Sequence, residues 1–313
     1  MSFLGLKEEA AFGYRTDSAN KPVAGLCQSD FEVIEDGVKQ NIASFSADRQ
    51  PISLVILIDA SGSIAPKLAK IRAAAASIIR QTTDQDEFSL LAFTTNTVVL
   101  QDFTADSASA DRALNTIKAG GGTALLDGVK TALAYADQNA KHERKAVLLV
   151  TDGAENSSQQ TTRADVFSLL QRGNVLFYAV GFPEGLGQGP SPDTRGRSPV
   201  KSRPDEALAK GLLNDLSNAS SGGHAFFPRQ DTELGRITDT IVSDLRAPRY
   251  TLGYYPLRSQ ATAAGWRSVQ VLTHSAGEQG PMNARTRAGY YAGQPKAGNT
   301  YSAGSANAYQ PVP

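Results

Sequence analysis

The sequence predicts an α/β protein, with a doubly wound, mostly parallel sheet in residues 51–245 inserted in a small β-sandwich-like module that both chain ends form. Three observations predict this fold. Short apolar runs alternate with helical patterns of ten or more residues through the middle of the chain. The first run, residues 53–58, is almost wholly apolar, which is typical of a strand buried on both faces. Both ends are rich in β-forming residues and lack helical periodicity.

The spacing of apolar residues predicts each element of the middle segment in turn. A helix is expected from Lys67 onward, because Leu68, Ile71 and Ala75 recur at three- and four-residue spacing after Pro66. The predicted strands are 53–58, 87–94, 97–100, 146–150, 175–180 and 225–227. The other predicted helices are 110–118, a segment that follows residue 122, 163–172, 206–218 and 234–245.

The two ends are predicted to form a single β module. Phe31 and Val33 alternate with polar residues before Asp36-Gly37, which is a strong signal for a two-residue hairpin turn. Strands are also expected at 250–255, 268–273 and 285–291. A sheet built from one end alone would be marginally stable, so the predicted module combines its N-terminal part, residues 1–50, with its C-terminal part, residues 246–292.

Two segments are predicted to lack regular structure. Residues 183–204 contain many Pro and Gly and few apolar residues, which indicates a long exposed loop that serves as a mobile connector. Residues 293–313 are mostly small, polar or Pro, a composition that does not compensate the entropy lost on ordering. We expect a disordered tail there.

Composition excludes several classes of protein. The chain has 313 residues with 31 basic and 31 acidic side chains, which disfavours nucleic acid or an anionic membrane as the partner. One Cys and three widely spaced His do not form a zinc site of the Cys/His kind. No apolar run reaches the roughly 20 residues of a membrane-spanning helix, and the first residues show no export signal. We therefore expect a soluble chain.

Oxygen-bearing side chains lie in three predicted loops at one edge of the sheet. Asp59, Ser61 and Ser63 come directly after the first strand, and alternate residues of an extended segment project to one side. Thr123 follows three glycines, and Asp152 follows the strand 146–150. Ligands of such folds bind outside the carboxyl ends of parallel strands, where these loops meet. Hard oxygen donors of this kind favour Mg²⁺, or Mn²⁺ or Ca²⁺.

Each of these residues also has a purely structural interpretation. Ser63 or Thr123 can cap a helix N-terminus, and Asp152-Gly153 can form a simple turn. Asp127, one helical turn after Thr123, is interpreted as an exposed helical residue, with support of the metal site as the second possibility. The coincidence of all these residues at strand ends favours the metal site.

The motifs resemble the metal-ion-dependent adhesion site of von Willebrand factor type A domains, which have a Rossmann-like fold. The resemblance rests on Asp-x-Ser-x-Ser at 59–63, Gly-Gly-Thr at 121–123 and Thr-Asp-Gly at 151–153, and it covers roughly residues 51–245. It implies that Ser61, Ser63 and Thr123 contact the metal directly, and that Asp59 and Asp152 act partly through water.

The flanking segments are similar to bacterial von Willebrand factor A-related proteins. The matching segments are 23–26, 30–33, 35–37, 40–42, 252–256 and 287–291. This resemblance suggests an extracytoplasmic or secreted location. The start of this chain differs, because it shows neither the usual export signal nor a clean first strand.

The resulting hypothesis is a binding module that recognises an acidic group, Asp or Glu, of a partner protein through a divalent cation. In relatives, displacement of the last helix changes the geometry of the metal site, so the predicted helix 234–245 is a candidate switch element. A scaffold or assembly subunit, with the β module as main contact, is the alternative. A Mg²⁺-dependent enzyme is least favoured, because the sequence has no phosphate-binding Gly-x-x-x-x-Gly-Lys loop and no evident base.

Overall fold

The computed structural model describes residues 9–15, 25–152, 155–182, 204–247, 249–256, 265–273, 282–286 and 289–292. Nearly all of the predicted loop 183–204 and the whole predicted tail 293–313 lie outside these residues. The strands are β1 Glu9–Arg15, β2 Phe31–Glu35, β3 Val38–Gln40, β4 Ile42–Asp48, β5 Ile52–Asp59, β6 Glu87–Phe93, β7 Thr97–Thr104, β8 Arg144–Thr151, β9 Val175–Gly181, β10 Ala225–Phe226, β11 Arg249–Tyr254, β12 Gly265–Thr273, β13 Met282–Thr286 and β14 Gly289–Ala292. The α-helices are α1 Leu68–Ile79, α2 Ser107–Thr116, α3 Leu125–Asn139, α4 Arg163–Arg172, α5 Pro204–Ala219 and α6 Asp231–Arg246.

The middle of the chain forms a six-stranded sheet in the order β10-β9-β8-β5-β6-β7. All neighbouring strands are parallel except β6 and β7. Every residue of β5, in the interior of this order, is buried, as its apolar sequence predicts. The predicted mostly parallel sheet is therefore confirmed.

Helices cover both faces of this sheet. Ile56 of β5 belongs to a core that includes residues of α1, α2 and α6, whereas Leu57 belongs to a second core with residues of α3, α4 and α5. Successive residues of a strand point to opposite faces, so one apolar run supplies both cores. This arrangement confirms the doubly wound architecture.

Several predicted boundaries in the middle of the chain differ from the structure, and two of the differences have a clear physical cause. Helix α2 begins at Ser107, earlier than predicted, because the side chain of Asp106 accepts a hydrogen bond from the Ala108 amide and caps the helix. Strand β7 continues to Thr104, where Thr104 pairs with Phe88 of β6. That part of β7 contains polar residues and so lacks the apolar pattern that predicts a strand. Pairing with β6 stabilises the strand there.

Strands from both chain ends form an eight-stranded sheet, in the order β3-β2-β12-β13-β1-β11-β4 with β14 also paired to β12. Strands β3 and β4 lie at opposite ends of this order, although only Asn41 separates them along the chain. The sheet must therefore curl until its edges approach. Phe31, Phe45 and Tyr250 pack against one another inside the curl, with the Phe31 and Tyr250 ring centroids 5.0 Å apart. The domain boundaries at residues 50, 245 and 292 stay predictions.

The expectation that the chain lacks a clean first strand is wrong. Strand β1 pairs with β11 on one side and with β13 on the other. Its sequence, Glu-Ala-Ala-Phe-Gly-Tyr-Arg, contains Ala and Gly, which have low β propensity, and gives little signal by itself. Pairing on both sides is a tertiary effect, which sequence pattern does not report.

The chain enters and leaves the middle segment through two paired strands. Residue Arg249 of β11 lies opposite Asp48 of β4 at this junction. Beside it, the buried Arg144 guanidinium donates to the carbonyl oxygens of Asp244 and Ala247 at 3.1 Å each, which holds the end of α6 against β8. These two hydrogen bonds restrain the carboxyl end of α6, the helix of the predicted switch.

The predicted hairpin turn at Asp36-Gly37 is confirmed, with φ of 47° at Asp36 and 80° at Gly37. The turn also connects the two chain ends. Arg267 of β12 donates to Asp36 Oδ2 at 2.8 Å, and the Ser268 amide donates to Asp36 Oδ1 at 2.9 Å. The hydrogen bond from Arg267 is the main cause that holds the pKa of the Asp36 carboxyl below its usual value.

Replacement of Asp36 by Asn tests this connection. Asn tolerates the same turn conformation but carries no charge. A carboxyl with a lowered folded-state pKa stabilises the fold above the unfolded-state pKa of about 4 and loses that effect as the pH falls. We expect Asp36→Asn to lower the melting temperature by about 1–3 °C near neutral pH, with a difference that shrinks towards about pH 3. Denaturation followed by circular dichroism at each pH measures this.

Asp111→Asn is the matched control, because Asp111 is more than half exposed and lies 3.6 Å from the equally exposed Arg80. Its effect should be smaller at every pH. A melting difference for Asp36→Asn that stays constant down to about pH 3 would show that the charge is not the cause.

Candidate functional site

The candidate site lies at the carboxyl ends of β5 and β8. Asp59 is the last residue of β5, and Thr151 is the last residue of the adjacent parallel strand β8. The Asp59 side chain is completely buried. Its Oδ1 accepts a hydrogen bond from the Ser61 amide at 2.8 Å, and its Oδ2 accepts one from the Thr151 hydroxyl at 2.6 Å. The carboxylate is thereby fixed in position between two strand ends.

The electrostatic setting of Asp59 is unfavourable for a lone carboxylate. Burial raises the pKa of its carboxyl, and the charge of Asp152 raises it further, whereas the hydrogen bonds from Ser61 and Thr151 lower it. A positive charge near this edge would compensate the cost of burying the carboxylate. The two acidic groups therefore suit a cation more than an anion.

Two hydroxyl groups stand next to Asp59. The Oγ atoms of Ser61 and Ser63 are 3.1 Å apart. They lie at the start of a short 3-10 helix, Gly62–Lys67, which contains Pro66 and precedes α1. Neighbouring ligands of an octahedral Mg²⁺, each about 2.1 Å from the ion, are about 3 Å apart. Ser61 is buried and Ser63 is exposed, so this pair reaches from the buried carboxylate to solvent.

The glycine-rich loop is tied to the Asp59–Ser63 loop by backbone hydrogen bonds. The Gly120 amide donates to the Ala60 carbonyl at 2.8 Å, and the Gly62 amide donates to the Gly121 carbonyl at 3.2 Å. Gly121 has a φ of 80°, a conformation that favours glycine. This loop places Thr123, which is only 2% exposed, at the same edge of the sheet.

The segment that follows β8 holds Thr123 from the other side. The Thr123 amide donates to Asn156 Oδ1 at 2.9 Å, and the Thr123 carbonyl accepts from the amides of Asn156 and Ser157 at 3.1 Å each. The Glu155 carboxylate accepts from the Leu126 amide at 2.8 Å and thereby caps the N-terminus of α3. Sequence pattern gives no signal for these residues, because their partners lie about thirty positions away.

The structure thus brings Asp59, Ser61 and Ser63 together and places Thr123 and Asp152 at the same sheet edge. The assignment of all five as metal ligands stays a prediction. Helix capping does not explain the hydroxyls of Ser63 and Thr123. The 3-10 helix and α3 begin after Ser61 and Ala124 respectively, and neither cap residue makes a side-chain capping bond.

Two further interpretations have different outcomes. The favoured interpretation of Asp127 as an exposed helical residue is wrong, because Asp127 is half-buried and its Oδ2 accepts a hydrogen bond from the Gln159 amide at 3.0 Å. The Asp152-Gly153 turn is not tested, since Gly153 lies outside the described residues.

Two features, a cluster of metal-binding side chains and a membrane-spanning helix, are absent from the residues that the structure describes. No three His, Cys, Asp or Glu side chains among these residues form a cluster that could hold a metal ion. No helix within the same residues has the length and apolarity needed to cross a membrane.

Comparison with known proteins relates part of the chain to a domain family. Residues 54–155 match the von Willebrand factor type A domain family. An uncharacterized protein of Synechocystis sp. is 23% identical over 181 residues, which cover 57% of this chain. The chain spans only 40% of the length of that curated relative.

Two solved structures share the fold. A von Willebrand factor type A structure from Catenulispora acidiphila is 15% identical and covers 93% of this chain and 75% of its own, with a TM-score of 0.50. Proximal thread matrix protein 1 from the mussel byssus, with a zinc-occupied MIDAS (metal-ion-dependent adhesion site) motif, is 18% identical and covers 67% of this chain and 50% of its own, with a TM-score of 0.51. The family match over residues 54–155, on a doubly wound sheet, defines the class of this domain. The chain contains a von Willebrand factor type A domain.

Substitution of Gly122 by Ala tests the packing of the loops. A Cβ atom at Gly122 would collide with the Ser157 hydroxyl and lie 3.3 Å from both Ser157 Cβ and Thr95 Cγ2. We expect Gly122→Ala to lower the free energy of unfolding by about 1–3 kcal/mol, because the two loops must separate. Chemical denaturation measures this change.

Gly120→Ala is the matched control, because a Cβ atom at Gly120 has no neighbour within 4 Å. This variant should be neutral or slightly stabilising. The additional substitution Ser157→Gly should restore most of the stability lost in Gly122→Ala. Equal losses for the two alanine variants would contradict the close approach of Ser157 to Gly122.

Proposed function

We propose that the chain is a metal-ion-dependent binding module that recognises an acidic group of a partner protein. The observation that carries the proposal is the buried Asp59 carboxylate beside the Ser61 and Ser63 hydroxyls, at an edge to which backbone hydrogen bonds also tie the loop of Thr123. Buried carboxylates in proteins are normally paired with a cation or a metal ion. These donors fit a hard divalent ion.

Each residue has a distinct role in this proposal. Ser61, Ser63 and Thr123 would hold the ion with neutral hydroxyl groups, which orient it without cancelling its charge. Asp59 and Asp152 would supply the compensating negative charge, partly through water. Asp59 in addition orients the Ser61 loop through the Ser61 amide. Thr151 holds the Asp59 carboxylate in place through its hydroxyl.

The partner would bind from the solvent side of the site. Ser63 is exposed, so the hydroxyl pair faces solvent at one end while Asp59 is shielded at the other. A bound divalent ion supplies a positive charge and an open coordination position for a carboxylate oxygen of an Asp or Glu.

The ion is proposed to be Mg²⁺, Mn²⁺ or Ca²⁺, because all the proposed donors are oxygen atoms. The mussel protein described above contains zinc at its site. Zn²⁺ is therefore included in the test beside the three harder ions.

A scaffold role is the second candidate, and one observation favours it. Tyr255 and Trp266, adjacent to or within strands of the eight-stranded sheet, are 47% and 37% exposed. Exposed aromatic side chains are frequent in protein interfaces. In that role the sheet of the chain ends would make the main contact, and partner binding would not depend on the metal ion.

Metal binding is the first expected outcome. Calorimetric titration with MnCl₂, MgCl₂, CaCl₂ and ZnCl₂ should show one site, and Asp59→Asn or Ser61→Ala should weaken Mn²⁺ binding by about tenfold or more. Asp111→Asn, at an exposed position on α2, is the control and should bind as the wild type does. Equal Mn²⁺ affinity in the wild type and Asp59→Asn would exclude this site.

Dependence of partner recognition on the ion is the second expected outcome. Selection from a displayed library of random peptides, with MgCl₂ or with EDTA, should enrich peptides that contain Asp or Glu only when MgCl₂ is present. The Asp59→Asn variant should lose this enrichment. Peptides that are retained equally with EDTA would favour the scaffold role, and turnover of a phosphoester or acyl substrate would favour an enzyme.

A further inference from the structure

We propose that Asn156 is the positioning residue that places Thr123 for metal binding, an inference that rests on the proposed function. Asn156 lies four residues after Asp152, in the segment that follows β8. It is not one of the five proposed ligands. Its contacts are all with the backbone or with a neighbouring hydroxyl, and they define where the Thr123 peptide lies.

This segment holds both backbone polar groups of Thr123. Its amide donates to Asn156 Oδ1 at 2.9 Å, and its carbonyl accepts from the Asn156 amide at 3.1 Å. Asn156 thus bonds one residue through its side chain and its backbone together. The peptide groups before and after the Thr123 Cα are therefore both hydrogen-bonded, which restrains the backbone of Thr123 and with it the direction of the side chain.

The orientation of the Asn156 side chain is itself determined. Its Oδ1 accepts from the Thr123 amide and also from the Ser157 hydroxyl, at 2.6 Å. Two donors directed at one atom identify that atom as the amide oxygen, since the amide nitrogen cannot accept them. An acceptor oxygen is therefore required at this position.

The segment around Asn156 is anchored to the first turn of α3. Glu155 Oε2 accepts from the Leu126 amide at 2.8 Å, and the Asp127 amide donates to Ser158 Oγ at 3.2 Å. The Asp127 carboxylate accepts in turn from the Gln159 amide. Asn156 thus belongs to a segment fixed on helix α3, which begins two residues after Thr123.

Gly122 completes this arrangement. Gly122 is the residue before Thr123, and its lack of a side chain lets Ser157 pack directly against it. On its other side, the glycine loop is bonded to the Asp59–Ser63 loop through Gly120 and Gly121. Thr123 is therefore held between two loops. Asn156 contributes a side-chain hydrogen bond, from the Thr123 amide to its Oδ1.

Amide hydrogen exchange in the metal-free protein is the first test. Asn156→Leu removes the acceptor at similar size, and should raise the exchange rate of the Thr123 amide by about tenfold or more. The Leu126 amide, bonded to Glu155, should change by less than about threefold. Asn156→Asp keeps an acceptor oxygen and should preserve protection of Thr123. Asn156→Ala serves as a second variant in case Leu prevents folding.

Calorimetric titration with MnCl₂ is the second test. Asn156→Leu should weaken Mn²⁺ binding by about tenfold, whereas Asn156→Asp should bind at least as tightly as the wild type. Unchanged Thr123 exchange, or unchanged Mn²⁺ affinity in Asn156→Leu, overturns the positioning role while the proposed metal site stands. A wild type that binds no Mn²⁺, Mg²⁺, Ca²⁺ or Zn²⁺ overturns the proposed function and this inference together.

Discussion

The buried carboxylate of Asp59 is the constraint on which the candidate site depends. Strand β5 is buried along its whole length, so the residue at its carboxyl end is withdrawn from solvent as well. Two hydrogen bonds, from the Ser61 amide and the Thr151 hydroxyl, fix this carboxylate but do not neutralise its charge. The proposed ion would balance this charge, with Ser61 and Ser63 as the proposed hydroxyl ligands.

Hydrogen bonds of backbone groups join the loops of the site. Gly120, Gly121 and Gly62 connect the loop of Thr123 to that of Asp59, and Asn156 connects it to the segment after β8. A site built in this way is organised before any ligand arrives, because each loop restrains the next. Gly122 serves the same purpose, since its lack of a side chain permits the close approach of Ser157.

The sheet of the chain ends lies at the opposite edge of the α/β domain from the candidate site. The eight residues of β5 separate the junction near Ile52 from Asp59, a distance of about 25 Å. At the junction, Arg144 holds the end of α6, and paired strands β4 and β11 carry the chain in and out. The end of α6 is thus restrained at the junction by buried hydrogen bonds.

The sequence alone determined the alternation of strands and helices, because the spacing of apolar residues reflects burial locally. It also identified five candidate ligands in the predicted loops: Asp59, Ser61, Ser63, Thr123 and Asp152. Only the tertiary structure decided that β1 lies inside the end sheet and that Glu155 and Asn156 hold α3 and Thr123. These strand pairs and hydrogen bonds join residues that are far apart in the chain. They form only when folding brings those residues within hydrogen-bonding distance.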